Sequence, residues 1–162
     1  MEIDDSMDFS CVNFERLATD KNYLNGGAGG AVHGPVTLYH NEYAIKKVLL
    51  GEDQHDSMTE KIETKANIWK SLKNRNLIRI LLVRLCPNVL FILMEYAGGG
   101  SLSSTLRDIR CTRSKLPVNV VSDWSKQIAD GMLYLHNNKL VHRDIKPGNS
   151  EYYRCTVNDF LV

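Results

Sequence analysis

The chain has 162 residues, of which 43% are hydrophobic and 24% charged, with a formal net charge of +1. That is the balance of a soluble globular protein with one ordinary core. Its basic residues are matched by acids and spread along the chain, which argues against a nucleic-acid partner and leaves other proteins and a small ligand as the expected partners.

In chain order, Met1 to Ser10 is acidic where a signal peptide would be basic and then apolar. Asn25 to Val32 is a glycine cluster. Val36 with Leu38, and then Tyr43-Ala44-Ile45, read as strands joined by a turn at His40-Asn41-Glu42. After a polar stretch from Gly51 to Ser57, the spacing of Ile62, Ala66, Trp69 and Leu72 or Lys73 predicts a helix with one apolar face. Leu77 to Leu85 and Val89 to Met94 read as strands broken at Cys86-Pro87-Asn88. The second is apolar throughout, which implies burial on both faces. Beyond Gly98-Gly99-Gly100 the pattern turns helical, with Val121, Trp124, Ile128, Met132 and Leu135 at intervals of three and four and an end near Asn137-Asn138.

The longest clean apolar run, Val89 to Met94, is far too short to cross a bilayer, so no membrane insertion is expected. Cys11, Cys86, Cys111 and Cys155 lie far apart, with no Cys-x-x-Cys pair and no histidine at zinc-ligand spacing. They read as reduced thiols of a cytoplasmic protein.

The most informative stretch is His142-Arg143-Asp144-Ile145-Lys146-Pro147-Gly148-Asn149, a His-Arg-Asp followed by four residues and Asn. On these residues the chain resembles the protein kinases, and Lys146 resembles the serine/threonine branch. Met94-Glu95-Tyr96-Ala97-Gly98-Gly99-Gly100-Ser101-Leu102 and the stretch from Trp124 to His136 are similar to the MAP kinase kinase kinases, above all TGF-β-activated kinase and the mixed-lineage kinases. The resemblance runs from about residue 14 to residue 160.

It implies an α+β, protein-kinase-like fold: a small β-sheet lobe with one helix, plus an incomplete, mainly helical large lobe. Residues 1–13 are then an N-terminal tail, 14–97 the smaller lobe and 98–162 part of the larger one, with a hinge at about 95–100. It implies ATP and Mg2+ as cofactors. Asp144 would accept the proton of the attacking substrate hydroxyl, Lys146 would neutralise charge on the moving phosphoryl group, and Asn149 and Asp159 would hold magnesium. Asn25, Gly26, Gly27, Gly29, Gly30 and Val32 match the glycine loop, with Asn25 in place of its first glycine. Glycines let backbone N–H groups close over phosphates without a Cβ in the way. Ala44 and Lys46 follow, Lys46 being the candidate contact to the α- and β-phosphates. Strand alternation allows only one of Lys46 and Lys47 to face them, and the spacing favours Lys46. Met94 would back the adenine pocket, with Glu95, Tyr96 and Ala97 as hinge, while Ile80, Trp69, His142 and Phe160 match the regulatory stack.

Several positions depart from the pattern. The usual partner of Lys46 is a helix glutamate, but the position counted back from Leu72 is Lys65, and Glu63 lies about 200° around the helix from it. Either Glu63 or Glu60 reaches Lys46, or two lysines face each other and repel. Leu161 replaces a glycine after Asp159-Phe160, Asp159 follows Asn149 by only ten positions, and the alternative reading of Asp159 is an incidental Asp-Phe at a strand end. Ser150 and Glu151 stand where the family places apolar residues beneath adenine, and a carboxylate there is costly to bury.

The family's activation segment, peptide-positioning loop and later helices would all follow Val162. A chain ending there is expected to phosphorylate proteins poorly or not at all by itself, and to leave the 121–135 stripe short of cover and prone to self-association or a partner. The expected activity is ATP-dependent serine/threonine protein phosphorylation of the MAP kinase kinase kinase type. Its protein substrate would be a downstream MAP kinase kinase, with an activating or scaffolding protein as a further partner. The rival is a pseudokinase acting as a binding or scaffold module. A small-molecule kinase is disfavoured by Lys146 and the hinge sequence.

Overall fold

The structure is a computed structural model, and it describes residues 7–27, 29–51, 56–152 and 160–161. The chain forms two compact units, one of Met1–Leu72 with Arg79–Tyr96 and one of Lys73–Ile78 with Ala97–Val162.

The first unit is built on an antiparallel sheet of β1 (Tyr23–Gly27), β2 (Gly30–Leu38), β3 (Asn41–Leu49), β4 (Ile80–Cys86) and β5 (Val89–Glu95). Their order is β1-β2-β3-β5-β4. A short helix α1 (Phe14–Leu17) precedes the sheet, and α2 (Asp56–Ser71) packs on β4. As an inner strand β5 is covered on both sides: none of its residues is exposed, as its unbroken apolar run implies.

Residues paired directly across neighbouring strands share a face, and faces alternate along each strand. The register Val32↔Lys46↔Ile92↔Val83 and Ala44↔Met94↔Ile80 therefore defines one face. The other carries Val36, Tyr43, Ile45, Phe91 and Leu93, all buried in the unit's main core. Phe9, Phe14 and Ala18 complete that core, with Phe14 stacked on Phe91 at 5.8 Å between centroids. Residues 1–13, expected as a tail ahead of the lobe, thus include a ring that fills the sheet's apolar face.

Two local expectations are corrected. The β2–β3 turn lies at Tyr39 and His40, whose φ angles are 49° and 67°, and Asn41 already begins β3. This is the two-residue hairpin in which both central residues need positive φ. Two bulky side chains hide that from sequence, and the Tyr39 hydroxyl anchors the turn by donating to the Asp8 carbonyl at 2.8 Å. Strand β4 starts at Ile80 rather than Leu77, because Asn74 caps a turn: its Oδ1 accepts from Asn76 N at 2.8 Å, and its carbonyl accepts from Leu77 N at 3.1 Å.

The second unit holds α3 (Leu102–Thr112), α4 (Val118–Asn137) and a short hairpin of β6 (Glu151–Tyr152) and β7 (Phe160–Leu161). The sequence reading did not single out α3. Its signals are Ser101, whose hydroxyl accepts from Ser104 N at 3.2 Å as N-cap, and the helical spacing of Leu102, Leu106 and Ile109. On α4, Trp124 and Leu135 are buried, Ile128 and Met132 half-buried and Val121 exposed. Segment 73–78 docks on the same helix. Lys73 N donates to the Tyr134 hydroxyl at 3.2 Å, and a Cβ on Gly131 would stand 2.9 Å from the Asn76 carbonyl oxygen.

Candidate functional site

The sheet face that carries Val32, Ala44, Lys46 and Met94 is the less covered one: apart from Ala44, these residues are half-buried. Lys47 projects to the opposite face, as strand alternation requires. The glycine cluster is the end of the β1–β2 hairpin, with Asn25 opposite Val32, Gly26 opposite Ala31 and Gly27 opposite Gly30. The Asn25 side-chain oxygen accepts from Gly26 N at 2.8 Å.

One glycine here is demanded by geometry, and a second lies beside a cation. Gly30 has φ +109°, and a Cβ on it would fall 2.5 Å from the Lys47 carbonyl oxygen. A Cβ on Gly29 would lie 3.4 Å from the Lys46 Nζ. The turn therefore lies beside the ammonium with no Gly29 side chain between them, and glycine backbone next to a cation is the kind of surface that takes an anion. This arrangement fits a polyphosphate.

Glu95 is 9% exposed, and its side chain has a definite job. Its carboxylate accepts from Arg79 N at 2.6 Å while its own N–H donates to the Arg79 carbonyl at 3.0 Å. The carboxylate thus ties the end of β5 to the start of β4. Sequence reasoning treated hinge side chains as uninformative and missed this tie. On α2, Lys65 is exposed and Glu63 half-buried, while Trp69 and, on β4, Ile80 are half-buried.

In the second unit the loop after α4 gathers Asp144, Lys146 and Asn149. The Lys146 ammonium donates to both Asp144 carboxylate oxygens at 3.0 and 2.8 Å, and Asn149 Nδ2 donates to the Asp144 carbonyl and carboxylate, each at 2.8 Å. Lys146, Asn149 and more weakly His142 hold the Asp144 carboxyl below its ordinary range. Asp144 N also donates to His142 Nδ1 at 3.3 Å. The carboxylate stays largely solvent-exposed, so it is an ionised acceptor open to an incoming hydroxyl.

The loop is fixed from below. Ser150 is 2% exposed, its carbonyl accepts from Leu102 N at 2.7 Å, and its hydroxyl donates to the Lys146 carbonyl at 3.4 Å. Glu151 is partly buried, and that burial pushes its carboxyl up. It pairs with Leu161 across β6–β7 and bridges Ser101. Asp159 lies outside the described residues, as do the side chains of Phe160 and Leu161.

Among the described residues no group of three His, Cys, Asp or Glu side chains is placed to hold a metal, and no helix is long and apolar enough to cross a membrane. Magnesium needs only one or two protein oxygens beside phosphate oxygens, and of the two expected ligands the described one, Asn149, offers a side-chain oxygen of that hard type.

Comparison with known proteins places these features. The protein kinase domain model matches residues 19–150. The chain is 35% identical over 136 residues to mouse mitogen-activated protein kinase kinase kinase 19, covering 81% of this chain and 10% of the relative. It is 34% identical over 155 residues to Xenopus laevis mitogen-activated protein kinase kinase kinase 10, covering 93% and 15%. The Arabidopsis thaliana mitogen-activated protein kinase kinase kinase ANP1 is 32% identical over 132 residues, covering 78% and 19%. The chain thus spans between a tenth and a fifth of these relatives. The chain belongs to the protein kinase domain family.

Proposed function

We propose that this chain carries the nucleotide-gripping and catalytic-loop residues of an ATP-dependent serine/threonine kinase of the MAP kinase kinase kinase type, working in the cytoplasm on a downstream MAP kinase kinase. In this reading residues 14–97 are the smaller lobe, 98–162 belong to the larger one, and 95–100 form the hinge. The observation that carries it is the Asp144 carboxylate held by Lys146 and Asn149.

The roles follow from charge and geometry. Lys46 and the glycine turn grip the phosphates of ATP. Ala44, Val32 and Met94 line the adenine side, with Glu95 and Ala97 at the hinge. Asp144 orients the substrate hydroxyl and takes its proton, and Lys146 offsets charge on the transferring group. Asn149 and Asp159 would hold magnesium, which would supply positive charge against that of the phosphates.

A second reading, a catalytically weak module that binds and scaffolds, is favoured by two observations. Glu151 brings a half-buried carboxyl to a position the family keeps apolar, and the exposed Lys65 stands where its glutamate would be.

An acyl-phosphate derivative of ATP, which acylates lysines beside bound phosphates, tests the first reading. Peptide mapping should find Lys46 acylated, Lys47 spared, and the labelling suppressed by excess Mg-ATP. Equal labelling of both lysines, unaffected by Mg-ATP, would overturn it.

A further inference from the structure

The matched domain begins at residue 19, yet residues before it close the apolar face of the sheet. Between Asp8 and Asn13, Phe9 is buried and Val12 half-buried, while Asp8, Ser10, Cys11 and Asn13 are exposed. None of these residues joins a strand, and their backbone is held largely by one side chain. The Arg84 guanidinium, on the apolar face of β4, donates to the carbonyls of Phe9 at 2.8 Å, Ser10 at 2.7 Å and Val12. It also lies over the Phe14 ring, 4.6 Å from its centroid. Further ties are the Tyr39 hydroxyl on the Asp8 carbonyl at 2.8 Å, the Asp8 carboxylate on Ser10 N at 2.8 Å, Val12 N on the Phe9 carbonyl at 3.2 Å, the Asn13 side-chain oxygen on Arg16 N at 3.2 Å, Val12 against the core, and Phe9 against Tyr39 and Tyr43 at 5.8 and 5.6 Å between centroids.

A segment with few buried side chains and solvent-side hydrogen bonds opens at far lower free energy than the sheet it lies on. Lifting residues 8–13 breaks the Arg84 clip, frees the Phe9 ring and the half-buried Val12, and gives up the Asn13 cap of α1, yet it leaves every strand pairing intact. It does not leave the sheet indifferent. Phe9 rests on Tyr43, three residues from Lys46 on the same strand and paired with Glu95, and the Tyr39 anchor holds a turn with two positive φ angles. Strands that lose a packed ring and a turn anchor hold their opposite-face side chains less firmly.

We propose that residues 8–13 are a releasable strap, held shut by Arg84, whose opening uncovers the Tyr39–Tyr43 side of the sheet and weakens nucleotide binding at Lys46. The opening stands on the strap geometry alone; the coupling rests on the nucleotide reading above. Linkage is reciprocal, so Mg-ATP bound at Lys46 also holds the strap down.

Hydrogen–deuterium exchange separates the two parts. Strap amides should exchange ahead of those of β5. Arg84→Lys, which keeps the charge but cannot span the carbonyls, should speed them about tenfold with β5 unchanged. Phe9→Ala should do the same from the opposite side of the clip. Mg-ATP should slow strap exchange in the native chain, and Arg84→Lys should weaken Mg-ATP binding about fivefold. Strap and β5 amides exchanging in step in the native chain and both variants would overturn the strap. Faster strap exchange with unchanged Mg-ATP affinity would overturn the coupling. A native chain that binds no Mg-ATP would overturn the nucleotide reading and with it the coupling, while the exchange pattern without nucleotide still decides the strap.

Discussion

Gly29 leaves its bare side against Lys46: a Cβ built on the glycine would stand 3.4 Å from the lysine Nζ. Turn and cation belong to the same unit, and together they make a place where an anion can meet a positive charge and backbone donors at once. Gly29→Val should therefore leave the fold intact and weaken Mg-ATP binding roughly tenfold, the effect of ~1.4 kcal/mol. Isothermal titration beside a circular dichroism melt checks this, and unchanged affinity would remove the turn from the site.

Neighbouring glycines should respond differently. Gly30→Ala forces a Cβ to 2.5 Å from the Lys47 carbonyl at φ +109°, whereas a Cβ on Gly27 meets nothing within 4 Å. Gly30→Ala should lose about 1–3 kcal/mol of stability, and Gly27→Ala should stay within about 0.5 kcal/mol. Urea titration of the two variants decides it.

Asp144 owes its depressed pKa first to Lys146 and then to Asn149. Lys146→Ala should move the Asp144 carboxyl titration, followed by NMR, upward toward its usual 3.8. Asp144→Asn removes the proton acceptor and should lower any phosphoryl transfer to protein by about 10²- to 10⁴-fold. Radiolabel transfer equal in the native and Asp144→Asn chains would take Asp144 out of the chemistry.

Glu151 gives a pH signature of opposite sign. Burial raises its folded-state pKa above the usual 4.5. Its favourable contribution is present below the unfolded value and is lost as pH rises through the folded one. Glu151→Gln should accordingly gain on the native chain as pH climbs from acid to neutral, by about 1 kcal/mol, the order of a carboxylate's partial desolvation. Melting curves from pH 4 to 7.5 report the difference, and parallel curves would mean the carboxyl is as well solvated as in the unfolded chain.

What sequence revealed, and what it hid, follows contact distance along the chain. The loop from His142 to Asn149 is legible because Asp144, Lys146 and Asn149 lie within six residues and bond one another. Strand alternation let only one of Lys46 and Lys47 share a face with Ala44, and the spacing from the glycine cluster favoured Lys46. The Arg84 clip joins residues more than seventy positions apart, and no local pattern announces it. Glu95 reads as an ordinary hinge residue until Arg79 is brought beside it. The Tyr39–His40 turn escaped because bulky residues seldom accept positive φ, and the anchor that lets Tyr39 do so comes from Asp8. Helix α3 went unread, although Ser101 as its cap and the spacing of Leu102, Leu106 and Ile109 are local signals for it.

The claim on which the account turns is that Lys46, and not its neighbour, grips a nucleotide's phosphates. Thermal unfolding with and without 10 mM Mg-ATP tests it most directly. With a Kd of about 100 μM, the ligand should stabilise the native chain and a Lys47→Met variant by roughly 2.7 kcal/mol, and a Lys46→Met variant far less. Equal stabilisation of all three, or none of the native chain, would contradict it.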